Sequence, residues 1–421
     1  MVKLLIIADD FTGALDTGVQ FAARGAATRV VTDLAYDFTL ADAEVLVMVA
    51  ETRHLPPEEA YDVVYRTARN AREAGIPYIY KKTDSALRGN IGSELTAVMD
   101  AAGSDTIAFL PAFPKMGRVT RNGVHYVDGV PVAESVFGKD PFEPVKASAV
   151  AQIVGGQTEV PVVLHRLDEA AVPGAPGIQV YDATTDEDLA RIGGELGTER
   201  LRLSAGCAGF ATALADVLGL NGTEPQMPQL PSAFFVACGS VNPVTLRQMR
   251  WAEQNGFVHI HLEPVQKLEP AWLESEDCGI KIRIWLEQAR NSGRCILDVN
   301  DPMGLDDTAV YAKTHGLTTE DLRVRISTQL AHLMKRLLDG GLDAAILCTG
   351  GDTLLALMRT VGTAELTPVR ELTTGAVLTN FVYRGKTYYI ISKSGGFGEP
   401  DLFCKLVAFV RAGSQKEDAV C

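Results

Sequence analysis

The sequence predicts an α/β protein of two domains, each built on a largely parallel sheet flanked by helices, and three observations predict it. Short aliphatic runs alternate with segments of helical period, as strands do when each crosses to the next through a helix. Charged or glycine-rich turns follow those runs, the position at which open parallel sheets bind ligands. A proline-rich stretch, residues 219–233 (GLNGTEPQMPQLPSA), reads as a linker between residues 1–218 and residues 234–421.

In the first half, residues 2–8 (VKLLIIA) form a short, nearly all-apolar run, a buried strand. After Asp10 the period changes: Thr12 can cap a helix over 13–24, and Gly25 can end it. Residues 28–32 and 44–50 (EVLVMVA) read as two further strands. Pro56 and Pro57 open a helix that Gly75 closes. A strand over 77–80, a helix over 91–101 and a strand over 106–110 complete the alternation. Residues 111–144, rich in Pro, Gly and basic residues, break it and predict a long excursion over the site, a lid, with Lys115, Arg118 and Arg121 facing solvent. Residues 147–220 return to the α/β pattern.

In the second half, AFFVACGS is a strand ending at Gly239 and Ser240, with Asn242 and Pro243 as the cap and first position of a helix. Residues 343–348 (DAAILC) are another strand, followed by Gly350, Gly351, Asp352, Thr353 and a helix. A hairpin, AVLTNFVYRGKTYYIIS, leads into Lys393, Ser394, Gly395, Gly396, Phe397 and Gly398, and a last helix begins near Pro400.

Two ligand chemistries follow. Asp9 and Asp10 after the first strand, Arg53 after the third, and Lys82, Asp84, Ser85 and Arg88 after the fourth fall on one edge of one sheet. Carboxylates accept from hydroxyls while Arg and Lys hold anions, a pairing that suits a small hydroxy acid. Taken singly, Asp10 reads equally as a helix cap, Asp84 and Ser85 as turn residues, and Arg53 as an ion-pair partner. The three glycine turns of the second half expose backbone N–H groups at helix N-termini and together favour a phosphate-rich ligand. Standard fingerprints are missing: Gly385, Lys386 and Thr387 mimic the end of a P-loop but lie in a hairpin turn, and Asp401 leaves the dinucleotide motif begun at Gly396 unfinished.

Composition narrows the classes. A net charge of −14 disfavours nonspecific binding to nucleic acid or an anionic membrane. Seven scattered cysteines without zinc-ligand spacing read as a reduced, cytoplasmic chain with no structural zinc. The apolar run in MVKLLIIADD is too short for a signal peptide, and none approaches a membrane span.

The blocks ADDFTGALD, KTDSALRGN, PAFPKMGR with GVHYVDGVPV, CTGGDT and SKSGGFG, in this order over residues 6–406, resemble the four-carbon acid sugar kinases. The resemblance implies an N-terminal substrate domain, a C-terminal ATP domain, and transfer of the γ-phosphoryl of ATP to the terminal hydroxyl of D-threonate, D-erythronate or 3-oxo-tetronate. The opening block is most similar to the D-threonate branch, although Leu15 and Ala86 stand where a polar residue is expected. By similarity, substrate contacts fall on Asp9 or Asp10, Arg53, and residues 82–88 including Lys82, Asp84, Ser85 and Arg88. ATP contacts fall on Ser240, Gly350, Gly351, Asp352, Thr353, and Gly395 or Gly396.

Such a reaction needs positioning, a metal on the phosphates and an acceptor for the hydroxyl proton. Asp10 and Asp84 are both candidate acceptors, and Asp9 is the weaker one because neighbours at a strand end point oppositely. Arg53 and Arg88 are expected on the sugar carboxylate, and Mg²⁺ between the phosphates with few protein ligands. A homodimer is held open. Two rivals remain: an oxidoreductase on the same hydroxy acids, against which the missing fingerprint argues, and a noncatalytic sugar-acid sensor, against which the glycine turns argue.

Overall fold

The computed structural model describes residues 1–140, 143–170, 175–394 and 396–414. The chain divides into two compact units, Met1–Pro225 and Gln226–Cys421.

In the first unit the elements run β1 (Leu4–Ala8), α1 (Phe11–Ala22), β2 (Thr28–Val31), β3 (Val45–Val49), α2 (Pro57–Glu73), β4 (Tyr78–Lys82), α3 (Ile91–Ala102) and β5 (Thr106–Leu110). There follow β6 (Arg118–Arg121), β7 (Val124–Val127), β8 (Val130–Pro131), α4 (Val150–Gly155), β9 (Val162–His165), β10 (Gly177–Tyr181), α5 (Asp186–Arg200), β11 (Leu203–Gly206) and α6 (Ala208–Val217). The main sheet of this unit has the order β2-β3-β1-β4-β11-β5-β10-β9, and every pairing in it is parallel. Strand order reverses at β1, which lies between β3 and β4, so the crevice at its carboxyl end is the topological switch point. The ends are nearly flush there, Ala8 lying opposite both Val49 and Lys82. Leu5, Ile7, Leu46 and Met48 bury one face of this sheet against Val64 and Ala68 of α2 and Leu95 of α3, each large side chain contributing roughly 1.5–3 kcal/mol of transfer free energy.

Two expectations are corrected here. The first helix is capped by Asp10, not Thr12: the Asp10 side chain accepts from Gly13 N, so the helix starts earlier, at Phe11. The excursion is also more ordered than a solvated loop. It folds into the antiparallel sheet β6-β7-β8, and Val127, Val132 and Val145 form a small core with Ala86. Arg118 is buried in it rather than facing solvent, its aliphatic stem and the Phe137 ring giving apolar cover.

The second unit contains β12 (Phe234–Cys238), α7 (Pro243–Gln254), β13 (Val258–His261), α8 (Pro264–Leu268), α9 (Glu276–Ser292), β14 (Arg294–Asp298), α10 (Asp307–Thr314) and α11 (Thr319–Asp339). It ends with β15 (Ala345–Thr349), α12 (Gly351–Val361), β16 (Glu365–Thr373), β17 (Ala376–Tyr383), β18 (Lys386–Lys393) and α13 (Leu402–Ser414). Its strands lie in the order β13-β14-β12-β15-β18-β17-β16. The first five are parallel, while β17 and β16 add an antiparallel meander. Here β12 occupies the switch position between β14 and β15. The hairpin turn at Arg384 and Gly385 has positive φ at both residues, 49° and 77°, as a tight two-residue turn requires. Among the described residues no helix is long and apolar enough to cross a membrane.

Candidate active site

Asp9 and Asp10 leave the end of β1 and meet cations from the two neighbouring strands. The buried Asp9 carboxylate accepts from Lys82 Nζ at 2.8 Å on Oδ1 and from Arg53 Nε at 2.8 Å on Oδ2. Burial works to raise its pKa, but the Arg53 and Lys82 charges outweigh that and hold it below the ordinary carboxylate range. Asp10 Oδ1 accepts from Gly13 N at 3.2 Å and Lys82 Nζ at 2.9 Å, and forms an ion pair with Arg53 Nη2 at 2.7 Å. A Cβ on Gly13 would collide with Lys82 Nζ, so this glycine lets the lysine lie across the start of α1.

Asp84 is filled more completely. Its Oδ2 accepts from Ala86 N, Arg88 N and Arg88 Nε, and its Oδ1 faces Arg88 Nη2 at 3.0 Å and Arg53 Nη2 at 3.4 Å. Despite burial, the Arg53 and Arg88 charges hold its pKa well below the ordinary range. Arg88 spends its remaining nitrogen on Asp140 at 3.1 Å and lies over the Phe137 ring.

Two atoms are left over. Among the described residues no donor reaches Asp10 Oδ2, and Arg53 Nη1 has no carboxylate partner. The loops that carry the arginines are stiffly held. Asn90 Nδ2 donates to the carbonyls of Thr52 and Leu55, tying them together at 2.8 Å each. Glu51 and Leu87, just before the two arginine positions, take positive φ of 52° and 62°, a strained backbone typical of sites held by their surroundings.

In the second unit, backbone dominates. The turns after β12, β15 and β18 follow adjacent strands, with Cys238 opposite Thr349 and Thr349 opposite Lys393. A Cβ on Gly239 would run into Thr353 Oγ1, and Gly350, at φ 95°, places its own Cβ position 3.8 Å from Ser240 N. Close approach requires glycine at 239, and the positive φ favours it at 350. Gly350 precedes α12 and Asn242 caps α7 through Val244 N. The position a Cβ would take on Gly396 lies 3.8 Å from Asn242 Nδ2, with nothing else within 4 Å. Beneath these turns Lys393 is buried, its Nζ donating to Ser394 O at 2.8 Å. Burial pushes its amine down to about 8.

The comparisons fall on these two halves. A model described as a sugar-binding N-terminal domain matches residues 4–214. A model described as a nucleotide-binding C-terminal domain matches residues 235–403. The chain belongs to the acid sugar kinase family. Relatives in this family include a D-threonate kinase of Salmonella typhimurium, 30% identical over 97% of this chain and 98% of that protein. A D-erythronate kinase of Heliobacterium modesticaldum is 28% identical over 97% of both chains. A 3-oxo-tetronate kinase of Methylobacterium radiotolerans is 26% identical over 94% of this chain and 96% of that one. In fold, a solved Salmonella typhimurium LT2 structure superposes with a TM-score of 0.81 at 21% identity, covering 99% of this chain and 100% of that one.

The structure thus gathers Asp9, Asp10, Arg53, Lys82, Asp84 and Arg88 into one network. Ser85 sits beside it, its carbonyl accepting from His125 Nε2 at 2.9 Å. Arg88 differs from expectation, because its guanidinium fork is bidentate on Asp84 rather than open to a ligand. Ser240, Gly350 and Thr353 meet as described, and Gly351 begins α12. Asp352, however, is exposed and pairs with Arg323 at 3.0 Å. Gly395 lies outside the described residues. Sequence reasoning missed Gly13, Asn90, Asp140 and Lys393 as parts of these sites. Gly13, Asn90 and Lys393 stand inside the motif blocks, where a glycine on the first helical turn, an Asn five residues past Ser85 and a lysine closing the last strand were the available signals.

Proposed function

We propose that the chain transfers the γ-phosphoryl of ATP to the terminal C4 hydroxyl of a four-carbon sugar acid, D-threonate first among the candidates. The observation that carries this reading is Asp10, whose Oδ1 is fixed by two hydrogen bonds and the Arg53 ion pair while Oδ2 has no donor among the described residues. A carboxylate oxygen so oriented can accept from a substrate hydroxyl and take its proton as the hydroxyl oxygen attacks. Asp84 suits that role poorly, since both of its oxygens are occupied by strong donors; it positions Arg53 and Arg88. Arg53 Nη1 and Lys82 supply positive charge for the acid group, and Asp9 keeps both cations in place. Ser85 contributes a hydroxyl at the rim of the cluster.

Residues 1–218 serve the sugar acid and residues 234–421 serve ATP, with 219–233 as the linker. On the nucleotide side, N–H groups around Ser240, Gly350, Gly351 and Gly396 suit phosphate oxygens, with the helix dipoles of α7 and α12 favouring negative charge. Thr353 packs directly against the Gly239 turn. Mg²⁺, a hard cation that keeps several waters, neutralises phosphate charge when bound with ATP. A cytoplasmic setting is supported by the need for ATP and by the free cysteines, five of the six described ones being buried.

Substrate choice within the class is the finer question, because relatives at 30%, 28% and 26% identity carry three different names. ADP release measured with D-threonate, D-erythronate and 3-oxo-tetronates decides both points. The expected result is ATP turnover strongest with D-threonate. Equal turnover without any sugar acid, or none with all of them, removes the proposal.

A further inference from the structure

The second unit holds a side-chain cluster that neither the motifs nor the kinase reading uses. His259 and His261 on β13 and Asp298 on β14 each offer one ligand atom, and these atoms all lie within 4.8 Å of one another. The two histidines are two residues apart on a strand and so share a face. Their ring centroids are 4.0 Å apart, and His261 lies opposite Asp298 in the parallel register.

Asp298 and His259 each have an outer atom already held. Asp298 Oδ1 accepts from Asn300 N at 2.9 Å and Asn300 Nδ2 at 2.7 Å, which leaves Oδ2 facing the rings. His261 Nδ1 lies 2.9 Å from the carbonyl oxygen of Asn300. The same Nδ1 is the ring nitrogen nearest Asp298, 3.8 Å from Oδ2. His259 turns Nδ1 toward Glu253 at 3.4 Å and Nε2 toward Asp298 Oδ2 at 3.0 Å. Metal-binding imidazoles characteristically donate their other N–H to a carboxylate or backbone carbonyl, and metal-binding carboxylates are themselves hydrogen-bonded. A histidine serving only the core would need one such partner, not a converging set of three.

We propose that His259, His261 and Asp298 bind a divalent first-row transition metal of the zinc class. Two imidazoles and one carboxylate match zinc and disfavour magnesium or calcium, which prefer all-oxygen shells. Three protein ligands leave a fourth position for water or a ligand oxygen. Side-chain exposure places the opening: Asp298 is 1% exposed and His261 28%, so an ion reaches solvent on the His261 side. The site also braces the nucleotide half. Asn300 Nδ2, which holds Asp298, donates to the Ser240 carbonyl at 3.1 Å, so an ion on Asp298 stiffens the Gly239–Ser240 turn. Sequence spacing concealed this site, because a His-x-His on a strand with a distant Asp lies outside the Cys and His spacings of zinc modules.

Full-length protein stripped with a chelator and titrated with Zn²⁺ by calorimetry is expected to bind one equivalent at this site, with Mg²⁺ giving no such isotherm in the absence of nucleotide. Cobalt substitution should give the visible absorption of a low-coordinate site. His261→Ala and His261→Asn should each weaken Zn²⁺ binding at least tenfold and abolish that spectrum, while circular dichroism confirms the fold. Neither readout depends on kinase activity. Absence of saturable Zn²⁺ binding overturns the proposal, as does binding that both folded variants leave unchanged. That result would assign His259 instead as an imidazolium held between Glu253 and Asp298.

Discussion

The two units place their functional turns at equivalent points of similar sheets and equip them in opposite ways. In both, a turn proposed to face ligand follows the strand at which sheet order reverses, β1 in one and β12 in the other. The first fills that crevice with ionised side chains: Asp9, Arg53, Lys82 and Asp84 are all buried, and three carboxylates face three cations once Asp10 and Arg88 are counted. The second lines its crevice with backbone, using Gly239, Gly350 and Gly396 and one buried amine, Lys393. Buried ion pairs are poor net stabilisers, because desolvation offsets their attraction. A self-neutralised cluster of this kind fits the proposed ligand, a sugar acid that itself offers both donors and a carboxylate. Backbone N–H groups are prearranged and nearly rigid, which suits the invariant polyphosphate of a nucleotide.

The largest expected effect breaks the first half at the point where it acts. Asp10→Asn retains Oδ1, and Asn caps helices as well as Asp, so folding and ATP binding should persist. Loss of the basic Oδ2 should lower kcat by roughly 10²- to 10⁴-fold, the usual scale of general-base catalysis. A rise in KM with unchanged kcat would reduce Asp10 to a hydroxyl-binding group.

Removing the shared cation should be felt as stability. Arg53→Met leaves Asp9, Asp10 and Asp84 short of a partner they share at 2.7, 2.7 and 3.4 Å. Truncating one member of a buried pair costs about 3–5 kcal/mol, readable in urea unfolding followed by a probe in the first unit. A loss below about 1 kcal/mol would mean the cluster behaves as a surface network, and the contrast between the units would fail.

On the backbone side the counterpart is Gly396→Ala. A Cβ there meets only Asn242 Nδ2 at 3.8 Å, so the free protein should be as stable as before. If phosphate approaches this backbone, ATP should bind roughly tenfold more weakly, about 1.4 kcal/mol. Unchanged affinity by calorimetry would leave Gly396 as a turn residue only.

What the sequence revealed divides along the same line. The strand ends carrying Asp9, Asp10, Arg53 and Lys82 were legible because apolar runs stop abruptly at charge, and periodicity then places them on one edge. Legible also were Asn242 as a cap and the final hairpin, although its turn falls on Arg384 and Gly385 and leaves Lys386 and Thr387 in β18. What stayed hidden depends on contacts across the sheet. That Arg88 is spent on Asp84 and Asp140, that Arg118 lies in a small core, and that Gly13 makes room for Lys82 are facts of packing between distant residues. Residues 256–342 gave no element assignment, although VHIH and CILD are the strands β13 and β14. Their mixed or short patterns fall below what periodicity can separate.

A smaller effect sharpens the electrostatic part of the contrast. Burial lowers the Lys393 amine to about 8, so below that pH it adds positive charge under the phosphate turns. ATP affinity should fall severalfold from about pH 7 to pH 9, and Lys393→Met should flatten that slope. Stability must move the other way. The unfolded amine titrates near 10.4, so between about pH 8 and 10.4 the unfolded chain binds more protons and the folded state gains with rising pH. Affinity and stability that rise together with pH would place the titrating group elsewhere.

The smallest expected effect is at Asp352, the one residue of the second glycine turn that carries full charge. Family resemblance puts it with the nucleotide, whereas its geometry is that of a surface pair: it is 61% exposed and bonded to Arg323 at 3.0 Å. An exposed pair of this kind contributes about 0–1 kcal/mol. A carboxylate in the first turn of α12 favours the helix dipole but repels phosphate, so these influences partly cancel. Asp352→Asn should therefore change the ATP Kd less than about threefold, and Arg323→Ala should change it equally little. A loss beyond roughly tenfold at Asp352 alone would show that it leaves Arg323 to meet the magnesium on the phosphates. The second unit would then also rely on an ionised side chain at its ligand, and the division between a charged crevice and a backbone crevice would have to be redrawn.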